Sequence, residues 1–149
     1  MTWRKLVPQG VINMFEAYNI VATDYELNDL VEFNNIRYSD CRVRVTNGST
    51  FTINTPGRYY VYFGGVGSSD TAATPFSVQL FNNDVAVPAI LSEITSTAVD
   101  DTQTMSFSTI INVLPSNCYV DNTVNLQVRV TSTAAGALAN ANLVIFRLK

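Results

Sequence analysis

The sequence predicts an all-β fold, a sandwich or barrel of many short strands. Apolar and polar residues alternate with period two along much of the chain. Turn-forming Asn, Gly, Pro and Asp punctuate those runs at short intervals. No apolar stripe of period 3.6 is sustained, and the abundant Thr, Asn, Val and Gly disfavour helix. At 149 residues the chain fits one domain with a substantial core.

The elements follow in order. Around Asn13 to Ala22 the residues alone leave a short helix open. Cys41 to Val45 alternates briefly, and Phe51 with Ile53 continues the pattern beyond Asn47-Gly48. That dipeptide signals a hairpin turn, because both residues tolerate positive φ. Asn47-Gly48-Ser49 also spells a glycosylation acceptor, but the turn is the favoured reading where no secretion signal is expected. After Thr55-Pro56-Gly57, the run 58–63 (Arg-Tyr-Tyr-Val-Tyr-Phe) is dense in β-formers and reads as a strand buried on both faces. Gly64, Gly65 and Gly67 are expected to loosen the chain into a loop. Phe76 to Phe81 is the next strand, closed by Asn82-Asn83-Asp84, and Val85, Val87 and Pro88 start a short extended piece. Met105, Phe107 and Thr109 alternate toward Ile111 and Val113, and Pro115-Ser116-Asn117 ends that run.

From Thr123 to Thr131, Val124, Leu126, Val128 and Val130 share one side of a strand, with Asn125, Gln127 and Arg129 on the other. The closing run 143–148 (Leu-Val-Ile-Phe-Arg-Leu) places apolar residues on both faces. A strand of that kind needs a core on one side and a second cover on the other. A second chain is the natural cover.

Composition removes several function classes. No histidine is present, so the commonest general base and metal ligand are missing. No Ser or Cys can therefore form the usual His-activated nucleophile, and no catalytic residue is assigned. Asp100-Asp101 is the one adjacent acidic pair, on an expected loop where neighbouring side chains mostly point apart. Calcium held by Asp70, Asp100 or Asp101 would suit hard-cation chemistry, but no loop pattern demands it. Neither metal nor cofactor is assigned. Cys41 and Cys118 lie far apart without a CxxC pattern and read either as small buried side chains or as a bridged pair.

A net charge of −3 with nine scattered basic residues argues against nucleic acid. Arg42 and Arg44, two residues apart on an expected strand, read as a solvated edge or interface pair. No apolar run is long enough to span a bilayer, and no signal peptide is expected from the first residues. The Met1 start reads as that of a complete product. Charged residues are only 14% of the chain, against roughly 25% for an average soluble protein. Thr, Asn and Ser fill the polar quota, which suits a particle-bound or extracellular protein.

The order of the pieces resembles the trimeric jelly roll of tumour necrosis factor and the globular heads of complement-type proteins. Phe15-Glu16-Ala17-Tyr18 looks like the first strand of those heads, and Leu30-Val31-Glu32-Phe33 like the short strand before their Asn-containing loop. The stretch 50–63, with Phe51, Pro56-Gly57 and Tyr59 ahead of alternating aromatics, is the best match. Phe76 to Phe81 with Asn83-Asp84-Val85 is similar to the strand and hairpin that follow, and Asn142 to Leu148 to the last strand. The Gly-Asp before the family's penultimate strand is replaced by Tyr119-Val120-Asp121-Asn122, so no metal or receptor role of that turn is carried over. The likeness is closest to bacterial and phage versions, which lack fixed disulfides and are rich in Thr, Asn and Ala.

The resemblance implies a homotrimeric jelly-roll head over 15–149, preceded by an arm over 1–14. In such heads the inner sheet lines the three-fold axis, which assigns Tyr60, Tyr62, Val144, Phe146 and Leu148 to the trimer interface. Trp3, Leu6, Val7, Val11 and Ile12 make the arm apolar, suited to docking on other virion proteins or else to packing along its own sandwich. The expected function is that of a non-enzymatic phage virion structural protein: a head fibre, capsid decoration or tail-associated knob. The alternative is a bacterial surface or spore-coat adhesin head that binds a host glycan or protein.

Overall fold

A computed structural model describes residues 14–148. The strands are β1 (Met14–Asn19), β2 (Thr23–Tyr25), β3 (Asn35–Tyr38), β4 (Val43–Thr46), β5 (Thr50–Ile53) and β6 (Gly57–Ser69). They continue with β7 (Pro75–Asn82), β8 (Val85–Thr95), β9 (Thr102–Val113), β10 (Val124–Val130) and β11 (Gly136–Arg147). All pairings are antiparallel. One sheet runs β3-β1-β11-β6-β9, with β2 also on β11, and the other runs β4-β5-β10-β7-β8.

Alternation sets what each strand buries. Tyr59, Val61 and Phe63 of β6 point between the sheets, as do Leu126, Val128 and Val130 of β10 and Leu143 and Ile145 of β11. Aromatic rings join the layers edge-on: Phe33 packs against Phe51 and Phe63 at 5.7 and 6.2 Å between centroids. Phe63 stacks on Phe107 at 5.1 Å. Buried Tyr59 donates its hydroxyl to the Thr55 carbonyl at 2.7 Å, which meets the need of a buried polar tip for a partner.

The turns carry the backbone angles their residues permit. Asn47 and Gly48 stand at φ 55° and 68°, and the turn closes when Ser49 N–H donates to the Thr46 carbonyl at 3.2 Å. Asn83 and Asp84, at 51° and 65°, make the two-residue hairpin between β7 and β8.

Four sequence expectations change. Where the sequence leaves a short helix open around Asn13 to Ala22, the described part from Met14 to Asn19 is a strand, because β1 pairs with β11 along its whole length, Met14 against Phe146 through Asn19 against Ala141. The glycines at 64, 65 and 67 do not open a loop; β6 runs on to Ser69, paired on both sides. Glycine serves close packing there, since a Cβ on Gly67 would run into the Met105 thioether. The piece after Val85 extends to Thr95. As an edge strand it absorbs Pro88 and the positive φ of Ala89 in an irregularity opposite Leu80. Finally, 30–33 makes only a single bridge, Leu30 to Arg129, and the strand proper forms at Asn35. The Val31 and Phe33 N–H groups donate instead to the Val128 and Gly48 carbonyls, at 2.8 and 2.7 Å.

Candidate functional site

The two sheets turn different chemistry outward. On the sheet containing β6 and β11, an apolar patch forms where these two strands meet the end of β9, while Thr104, Ser106, Ser108 and Asn112 of β9 are polar at the positions between core residues. Tyr60 lies opposite Phe146 and Tyr62 opposite Val144 across the β6–β11 pairing, all four half-buried. The Tyr60 and Phe146 rings lie 5.1 Å apart, tilted by 39°. Leu148 follows the end of β11, exposed, with its N–H donating to the Arg58 carbonyl at 2.7 Å. The five residues assigned from the sequence therefore gather on one face.

Sequence reading missed Ile110, which β9 places beside Tyr60 on that face and which is 46% exposed. Its signal was present in the doublet Ile110-Ile111, of which a strand can bury only one member on a given face. A polar margin completes the surface at β1. Glu16, buried by its neighbours, lies 3.6 Å from the Arg37 guanidinium and accepts a bond from the Asn142 amide at 3.4 Å. Arg37 in turn lies 4.6 Å over the Tyr18 ring.

The other sheet turns outward a concavity of about 450 Å³ lined by Thr50, Asn83, Asp84, Asp121, Thr123, Asn125 and Gln127. Its floor is a hydrogen-bonded ladder. Thr52 donates to Asn125 Oδ1 at 2.7 Å, and the Gln127 amide donates to Thr50 Oγ1 at 2.9 Å. Asn83 Oδ1 accepts from both the backbone and the side-chain amide of Asn125, at 2.9 and 3.1 Å, while Asn83 Nδ2 donates to the Thr123 carbonyl. Arg129 bonds Gln127 Oε1 at 2.7 Å and Asp84 Oδ1 at 3.1 Å, its guanidinium 4.2 Å above the Phe81 ring. Asp121 accepts from Thr123 N–H at 2.9 Å, and bonds from the Thr123 side chain and backbone hold its carboxyl below the usual range.

Other residues singled out in the sequence stand apart. Cys41 and Cys118 are both exposed and unpaired, neither buried nor bridged, since each sits in a surface connection between strands. Arg42 precedes β4 rather than lying on it, and its guanidinium bonds buried Asp40 at 3.0 and 3.1 Å. Asp100 and Asp101 occupy the β8–β9 connection, where Asp101 accepts from the Thr97 hydroxyl at 3.3 Å. No group of three or more His, Cys, Asp or Glu that could hold a metal occurs among the described residues. Trp3, Leu6, Val7, Val11 and Ile12 lie outside the described residues.

No family model matches the sequence, and no curated protein matches it. Solved structures do. The tumour necrosis factor Eiger from S. frugiperda matches with a TM-score of 0.71 at 12% identity, covering 91% of this chain and 92% of its own. The globular domain of zebrafish complement 1qA protein gives 0.66 at 12% identity, over 93% and 98%. Murine APRIL gives 0.61 at 8% identity, over 91% and 98%. At such identities the likeness is one of fold, and it spans nearly the whole length on both sides. This chain folds as the all-β jelly roll shared by tumour necrosis factor and the globular heads of complement-type proteins.

Proposed function

We propose that this chain is a non-enzymatic assembly head that forms a homotrimer through the outer face of the β6–β11 sheet. The observation that carries the reading is the apolar patch of Tyr60, Tyr62, Val144, Phe146, Leu148 and Ile110 on the side of that sheet away from the core. Contiguous apolar surface of this kind marks an interaction site. Around a three-fold axis the contacts are heterologous, so this face would pack against a different part of the neighbouring copy and the ring closes after three. The absence of histidine from all 149 residues supports a binding rather than a catalytic role.

The trimer is read as a virion structural protein, a head fibre, capsid decoration or tail-associated knob. Support comes from a surface poor in charge and rich in Thr, Asn and Ser, and from the apolar residues at Trp3, Leu6, Val7, Val11 and Ile12, which suit an attachment arm onto other virion proteins. A second reading, a bacterial surface or spore-coat adhesin head, is favoured by the polar concavity on the opposite sheet. Neighbouring genes separate the two: capsid and tail genes support the virion role, and a longer chain with a collagen-like stalk supports the adhesin. Deleting residues 1–13 tests the division of labour. A trimer that survives the deletion while particle attachment is lost supports it, and loss of the trimer overturns it.

A further inference from the structure

We propose that the groove formed by β5, β10 and the β7–β8 hairpin is a binding site for a neutral saccharide. All seven lining side chains are polar, and none is a cation. Arg129 at the margin is already engaged by Asp84 and Gln127. Such a lining matches a polyol, whose hydroxyl groups both donate and accept. Ionised Asp84 and Asp121 are acceptors only, and take hydrogen bonds from hydroxyls. The Asn83 and Asn125 amides each carry two N–H donors and use one within the groove, to the Thr123 carbonyl and to Asn83 Oδ1. The second donor of each serves a hydroxyl oxygen.

The groove is ordered in advance. Asn125 is held by three bonds, Gln127 by two, and Asp121 by its turn to Thr123. A ligand therefore finds these groups in place, without the entropy of ordering them. The volume, about 450 Å³, falls in the range of small-ligand sites. Charge narrows the class. Two carboxylates flank the opening against a single engaged guanidinium, so a sugar bearing its own carboxylate, sulfate or phosphate is repelled. The groove lies on the sheet opposite the apolar face, so trimerisation leaves it open. The site is complete in one chain and stands whether or not the trimer forms.

The test is titration of the isotope-labelled full chain with methyl glycosides of glucose, galactose, mannose, fucose and N-acetylglucosamine, followed through side-chain amide resonances. N-acetylneuraminic acid and calcium chloride serve as separate arms. At least one neutral glycoside is expected to shift the Asn83, Asn125 and Gln127 amides, and the acidic sugar is expected to leave them unmoved. Asn125→Ala and Asp121→Asn are each expected to weaken that binding about tenfold. Asp121 is exposed on a loop, so its variant keeps the fold and the test stands even where Asn125→Ala unfolds. The proposal is overturned by silence of these amides with every neutral glycoside at millimolar concentration, by shifts from calcium alone, or by preference for the acidic sugar.

Discussion

Phe146 and Tyr60 face each other across β11 and β6 with ring centroids 5.1 Å apart, on the side of the sheet that faces away from the core. Their strand neighbours Ile145 and Tyr59 are almost fully buried on the inner side. The sheet is thus apolar on both faces at this place, and only one face has the sandwich behind it.

Charge placed on that outer face should separate the subunits without unfolding them. Phe146→Asp removes a side chain, half-buried in the single chain, whose remaining burial in the proposed trimer contributes about 1 kcal/mol per subunit, and adds a charge at the interface. The variant is expected to sediment as a monomer with unchanged far-ultraviolet dichroism. Exposed Thr95, on β8 of the other sheet, should tolerate the same substitution with the assembly intact.

Gly67 and Met105 should behave as a coupled pair. Gly67→Ala alone drives a Cβ into the Met105 thioether and is expected to cost about 1–3 kcal/mol in urea melts. In the background of Met105→Ala the added methyl has room, so the double variant should be less destabilised than the sum of the two, by about 1 kcal/mol. Strict additivity would show that the glycine is there for another reason.

Burial raises the Tyr59 hydroxyl above its ordinary value, and does the same to Tyr25. A group raised in this way lends stability that is fully present below its unfolded pKa, about 10, and lost as pH rises toward and through the folded one. The protein should therefore lose stability in alkali. Tyr59→Phe gives up the bond to Thr55, costing about 0.5–1.5 kcal/mol near neutrality, but its urea midpoint should fall less steeply above pH ~10 than that of the wild type.

The Arg129–Asp84 ion pair should matter little to folding, because the Asp84 side chain is 83% exposed. Asp84→Asn is expected to change stability by less than about 1 kcal/mol. Arg129→Ala should cost more, since it also removes the guanidinium from over Phe81 and from Gln127. Equal effects of the two would assign the stability to the ion pair alone.

Much of the fold was legible because period two is a strong signal where one side faces a core. Val124 to Val130 and Met105 to Val113 announce both their strands and their buried members. The hairpins at Asn47-Gly48 and Asn83-Asp84 were legible for a different reason, since few residues accept positive φ. What misled was local chemistry overruled by long-range pairing. Gly64, Gly65 and Gly67 read as a loop because glycine weakens isolated strands, yet β9 and β11 flank them on both sides. Leu30 to Phe33 read as a strand from the family resemblance, yet its N–H groups are taken by two different segments.

The apolar face was partly legible in the two-sided runs 58–63 and 143–148, which turn out to be hydrogen-bonded neighbours. The groove was not. Asn125 and Gln127 were visible as the outer side of a strand, but nothing in the sequence announces that Asn83, some forty residues away, bonds to Asn125. Such a site exists only once the β7–β8 hairpin is laid beside β10.

The measurement that tests the central claim most directly is the solution mass of the purified chain by light scattering. The account predicts three times the 16.4 kDa of a single chain, held without cofactor or metal. A mass of one chain across the accessible concentration range would contradict it, and would leave the face carrying Tyr60 and Phe146 to a partner other than the protein itself.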